Sequence, residues 1–191
     1  MSILIPIRKQ VLRLLLGIMT LLIPIALPLG LLVRGSDQIF LTSVNSYLYT
    51  EIRILFILIL VLFSLVFIVY GLVYRKGRME LFTSGFLVLF IAFFPDSYTD
   101  SWAGHLHTVA FIGLLGLLGW LIRHTFNLPL GFPVLTKVGT LILILDLILL
   151  IWVLAFNSLW PLMVFLLETV MLWLFTVGIL VRHKINKKLG G

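Results

Sequence analysis

Two aspartates and two histidines, Asp96, Asp100, His105 and His107, fall close together in the stretch FFPDSYTDSWAGHLHTVAF from Phe93 to Phe111. Imidazole and carboxylate are the donor set of zinc and similar sites, where an open coordination position can activate water. Glu51, Arg53 and Asn45 of an earlier polar segment are able to approach the same cluster. Spacing limits the histidines: residues two apart on a helix point about 160° away from each other, so the two cannot share one metal unless that helix begins after them. His107, with Asp96, is the candidate for zinc, and His105 is expected to point elsewhere. The plainer reading is a short polar loop at a membrane surface, with a histidine bonded to a loop carbonyl.

A second constellation is Asp146 and Glu168, each eleven residues from Asn157 and therefore level on the two arms of a hairpin near the middle of a bilayer. An acid at that depth costs roughly 2.5 to 3.5 kcal/mol on the insertion scale, which the surrounding LILIL and LILLI offset at about 0.3 to 0.6 per residue. With no lysine, arginine or histidine at that level, the neutral carboxyls are the expected forms. They can bridge the hairpin by a hydrogen bond, or serve as a proton or cation relay or as a seat for a polar headgroup. Haem is not implied, because His124 and His183 lie at the opposite ends of their helices from His105 and His107. The sequence has no P-loop, no G-x-S-x-G elbow and no H-E-x-x-H.

The elements that must position these groups are apolar helices. Of 191 residues 62% are hydrophobic and 11% charged, and the mean hydropathy is +1.24, far above ordinary soluble domains. A hydrocarbon core of about 30 Å takes roughly 20 residues per span, and the pattern predicts six spans: 11–33, 52–74, 80–94, 102–122, 138–156 and 159–181. The first follows Arg8, Lys9 and Arg13 like a secretory signal, but it is long and lacks a small-x-small cleavage site, so it should be retained. Pro24 and Pro28 predict a kink within it. The third is short, so either it runs past Pro95 or the loop after it dips inward. The fourth carries Gly104, His107, Ala110, Gly113, Gly116 and Gly119 at intervals of three. Small residues let backbones approach closely, and a period of three winds around the helix to meet two neighbours, which places this helix at the bundle centre. Tyr47 and Tyr49 suit an interfacial belt.

The net charge of +7 does not indicate nucleic acid, because the basic residues collect at span ends. Twelve lysines and arginines belong to one set of alternating connections and tails, against Arg34 and Arg53 on the other. This positive-inside pattern predicts both termini in the cytoplasm of a plasma or inner membrane, with the Phe93–Phe111 stretch outside. The absence of cysteine removes disulfides and thiolate ligands.

At FFPD, followed by GHLH at the head of a glycine-rich helix, the chain resembles the six-helix membrane proteins of domain-of-unknown-function family 998, on Phe94, Pro95, Asp96, Gly104 and His107. The resemblance implies a fold and no activity. Ceramidase-like membrane hydrolases differ in the paired H-x-x-x-H of their last helix, which this chain lacks. The sequence therefore predicts an all-α, polytopic bundle of six transmembrane helices, a single unit over 1–191. Its expected role is non-enzymatic, binding membrane lipids or a partner membrane protein as an accessory subunit would, or assembling as a homo-oligomer. The alternatives are a metal-dependent membrane enzyme using the outer Asp/His cluster and a proton-coupled carrier using Asp146 and Glu168.

Overall fold

The computed structural model describes residues 4–36, 41, 47, 50–74, 77–93, 102–126, 132–155 and 161–188, with the backbone alone at 4–9, 102–105, 153–155, 161–163 and 186–188. Among the described residues the regular structure is helical: α1 (Leu4–Val33), α2 (Arg53–Val73), α3 (Arg78–Phe93), α4 (Trp102–Trp120), α5 (Pro133–Ala155) and α6 (Pro161–Lys188). Five of these, all but α3, are long and apolar enough to cross a membrane. The 16 residues of α3 reach about 24 Å at 1.5 Å per residue, short of a hydrocarbon core.

The helices run alternately up and down. The start of α1 meets the end of α2 where Arg13 Nε donates to Tyr70 Oη at 3.0 Å. The end of α4 reaches the same level, where Tyr74 Oη donates to the Thr125 carbonyl at 3.4 Å. At the other end, Gly30 near the close of α1 packs on Ile52 and Leu55, and Tyr47 meets Phe165 near the start of α6, with ring centroids 6.2 Å apart. Each helix packs on its successor and α6 returns to α1, so the six form a closed ring, crossed by contact between α4 and α6. α6 and α4 bury 56% and 50% of their apolar windows and α5 only 22%. The centre expected for α4 is thus shared with α6, and α5 is the peripheral helix.

Local chemistry explains the ends. α1 stops in a Schellman turn: Ser36 N–H donates to Leu31 O at 3.1 Å and Gly35 N–H to Leu32 O at 3.0 Å, with Gly35 at φ +75°, a conformation that favours glycine. α1 stays helical through Pro24 and Pro28, and in the turn before Pro24 the Leu21 carbonyl accepts Trp173 Nε1 of α6 at 3.3 Å. Neighbouring helices commonly satisfy carbonyls in this way around intramembrane prolines. The connection expected over 123–137 is shorter than the sequence suggests at both ends. α4 runs on as a π-helical turn, Leu121–Thr125, and α5 starts at Pro133, whose missing N–H costs nothing at the first helical position. α6 likewise continues past Val181 to Lys188, with basic residues gathered where the helix dipole is negative.

The seams are built on small residues and hydroxyls. Between α1 and α6, Thr20 Oγ1 and Thr176 Oγ1 lie 2.8 Å apart, and Thr176 also donates to the Gly17 carbonyl at 3.0 Å. Between α2 and α3, Ser64 Oγ donates to the Gly85 carbonyl at 2.7 Å. The glycine stripe of α4 does serve two neighbours. Gly113 faces Leu87 of α3, whereas Gly116 and Gly119 face α5.

Candidate functional site

The polar groups fall at three levels of the bundle. At the end holding the α1–α2 connection, His107 is 1% exposed while its neighbour Leu106 is exposed. α4 begins at Trp102, so the backbone at both histidine positions is helical, and the side chain of His105 lies outside the described residues. Asp96, Asp100 and Asn45 lie outside the described residues, and so does the meeting of Asp96 with His107. Among the described residues, no three His, Asp or Glu side chains converge as metal ligands do. Glu51 and Arg53 are exposed, and Glu51 stands with Arg34 at a groove between α1 and α2. That groove encloses about 540 Å³ and is lined by Leu29, Val33, Leu55 and Leu58, side chains that are themselves exposed on the apolar surface.

Tyr47 belongs to this end too, but not to an interfacial belt: it is fully buried, its ring tilted against Phe165. Burial pushes its phenol up to about 12, against a smaller downward pull from a hydrogen bond with the Leu41 backbone. A tyrosine in a belt keeps its hydroxyl in water, whereas this one closes the bundle interior.

At mid-depth, the contact found for Asp146 among the described residues is with α4 and not with Glu168 across the hairpin. A Cβ placed on Gly116 of α4 would lie 2.9 Å from Asp146 Oδ2, so the glycine makes the room that the carboxyl occupies. Oδ1 of Asp146 is buried with no hydrogen-bond partner among the described residues. Asp146 is thus turned to α4, while Glu168 is 2% exposed on the more central α6.

The third level was not legible as a site. Arg13 and Arg182, counted in the sequence as topology signals, are 5% and 6% exposed. Arg13 reaches Tyr70, and its guanidinium lies 5.8 Å from the centroid of the Phe126 ring. Phe126 is carried there by the π-helical turn, closed by its N–H donating to Leu121 O at 2.8 Å. An extra residue in a turn re-aims the side chains beyond it, and such turns recur at functional sites. Phe126 packs in turn on Tyr70 and Phe175, at 5.8 and 6.2 Å between centroids. The available signal was position: Arg13 stands in VLRLLL, inside the first apolar span, and Arg182 directly succeeds the last.

Compared with family models, curated proteins and solved structures, the chain matches none.

Proposed function

We propose that this chain is a non-enzymatic, multi-pass membrane bundle that binds lipid, with both termini in the cytoplasm of a plasma or inner membrane. The observation that carries the reading is the groove between α1 and α2. Its volume of about 540 Å³ lies in the range of ligand pockets, roughly 300 to 1,000 Å³. Its walls are continuous with the exposed apolar surface, and its mouth carries one positive and one negative side chain, Arg34 and Glu51. An acyl chain suits the walls, and a zwitterionic headgroup suits the opposed charges at the rim. The twelve-to-two distribution of basic residues supports the orientation, which puts the groove on the outer side. Kinship with domain-of-unknown-function family 998 is part of this proposal and rests on the residues quoted for it.

Photolabelling decides whether the groove holds lipid. The protein is reconstituted with a phosphatidylcholine bearing a diazirine on its acyl chain, and adducts are mapped by peptide. Leu55 and Leu58 should label several-fold more than Leu62, Leu65 and Leu72 of the same helix, which are comparably exposed. Equal labelling along α2 would mean that the groove is ordinary lipid-facing surface.

The carrier reading has one observation in its favour, the buried Asp146 oxygen with no partner among the described residues. Under the lipid-binding proposal Asp146→Asn leaves lipid labelling and proton permeability of proteoliposomes unchanged. Proton flux that vanishes in Asp146→Asn, with the fold retained, would favour the carrier.

A further inference from the structure

The end of the bundle that joins the start of α1 to the end of α6 takes two arginines out of water. The antiparallel register sets them level: Gly17 lies against Ile179 and Thr20 against Thr176, so one turn back along α1 and one turn forward along α6 bring Arg13 to Arg182. Tyr70 stands between their influences: among the described residues, the charged or ionisable groups in its electrostatic reach are Arg13, Arg182 and Tyr74, with no carboxylate. What meets Arg13 is a neutral phenol and a neutral ring. Its Nη1 is buried and without a hydrogen-bond partner among the described residues.

Two guanidinium charges brought together away from water repel far more than they would in solution, and a buried donor left unpaired adds to the cost. An anion removes both penalties at once. The planar fork of arginine matches the oxygens of a phosphate group, and the Tyr70 hydroxyl, which accepts from Arg13, keeps its own proton to donate. Depth narrows the source. Arg13 lies three residues inside the apolar window Gln10–Val33 and Arg182 three inside Val164–Ile185, about 4.5 Å from each end, near the level of lipid phosphates and within reach of the aqueous face.

We infer that Arg13 and Arg182, with the Tyr70 hydroxyl, form a binding site for a phosphate-type anion, either a phospholipid headgroup or a free phosphate. The site lies at the opposite end of the bundle from the α1–α2 groove and does not rest on the reading of that groove. The ring of Phe126 forms its floor, and the π-helical turn that delivers Phe126 is part of the site's construction.

Thermal unfolding of the full chain in a neutral detergent and phosphate-free buffer provides the test, with three probes: inorganic phosphate, dihexanoylphosphatidic acid and dihexanoylglycerol. The expected result is a saturable rise in the midpoint with a phosphate-bearing probe and none with dihexanoylglycerol. A response to dihexanoylphosphatidic acid alone identifies a headgroup site, and a response to inorganic phosphate as well identifies a site for the free anion. Arg13→Gln and Arg182→Gln should each weaken the apparent affinity at least tenfold. Without probe they should be no less stable than the parent protein, because each relieves the repulsion. A purely structural role for the arginines predicts loss of stability without change in probe affinity. The inference is overturned by no phosphate-dependent shift, by an equal shift with dihexanoylglycerol, or by undiminished affinity in the variants. If Arg13→Gln does not accumulate, Arg182→Gln decides alone: a tenfold loss supports the site and unchanged affinity overturns it.

Discussion

Gly139→Ala tests how closely α4 and α5 are packed. A Cβ at Gly139 would lie 2.6 Å from Arg123 Cβ, 2.7 Å from Arg123 N and 2.7 Å from the Gly119 carbonyl oxygen. All three atoms are backbone or fixed to it, so no rotamer change relieves the contact. Ordinary contact begins at 3.4 Å, so the deficit against the Gly119 oxygen is 3.4 − 2.7, or about 0.7 Å, which the two helices must open. Overpacking of this kind costs about 1 to 3 kcal/mol, against a gain of up to about 1 kcal/mol from replacing glycine in a helix. With the full propensity gain subtracted, the net expectation is a loss of about 0 to 2 kcal/mol. Gly113→Ala is the control, because the nearest atom to its Cβ is Leu87 Cδ1 at 3.9 Å and only the propensity gain remains. Thermal melts in one detergent should therefore separate the two, Gly139→Ala level or down by a few degrees and Gly113→Ala level or up, with Gly139→Ala clearly the lower. If Gly139→Ala is as stable as Gly113→Ala, the close approach of α4 and α5 is not a feature of the folded protein.

Single introduced cysteines read the orientation cleanly in a chain with none of its own. Glu51→Cys should react with an impermeant maleimide from outside and Arg78→Cys only after permeabilisation, both positions being exposed; the reverse pattern overturns the assignment. The neighbouring Gly77 is unsuitable because its φ is +71° and a Cβ there would run into Thr125. Metal analysis of protein purified without chelator or affinity tag tests the His107 and Asp96 pair: zinc near one equivalent would support the metal-enzyme alternative, and less than about a tenth of an equivalent is expected under the lipid-binding proposal. Tyr47 makes stability sensitive to alkali, since a phenol raised to about 12 stays neutral in the fold while it ionises near 10 in the unfolded chain. Its contribution is complete below pH 10 and is lost as pH rises towards 12, by roughly 2 to 3 kcal/mol at about 1.4 per unit. Tyr47→Phe should flatten the stability profile over that window, and an unchanged slope would contradict the buried placement.

Depth was legible in the sequence where direction was not. Counting from Asn157 places Asp146 and Glu168 level on paper, but the rotation of α5 about its own axis is set by the space at Gly116, and that turns Asp146 away from the hairpin. The glycine stripe announced close approach because a missing side chain acts the same way against any partner. Its partners, Leu87 on one side and Gly139 on the other, depend on the whole ring. Arg13 shows the limit most clearly: a loop-by-loop count of charge records where an arginine sits along the chain and not where its side chain goes. The groups it meets, Tyr70 of α2 and Phe126 beyond α4, are far away in sequence. Tyr47 was misread for the same reason, its partner Phe165 lying on a helix formed much later in the chain.

The closure of the ring by its first and last helices gives the molecule a history as well as a shape. Thr20 waits for Thr176, 156 residues further along, and at roughly 5 to 20 residues per second that interval lasts on the order of ten seconds of synthesis. Until α6 emerges, the bare backbone at Gly17 and the hydroxyl of Thr20, bonded only to carbonyls of its own helix, face lipid or whatever escort is at hand. A nascent chain of five helices therefore carries a polar seam on its outside, and a chain truncated before α6 keeps it permanently. That seam is a mark by which an unfinished molecule differs from a finished one, available to any machinery that inspects helices within the bilayer.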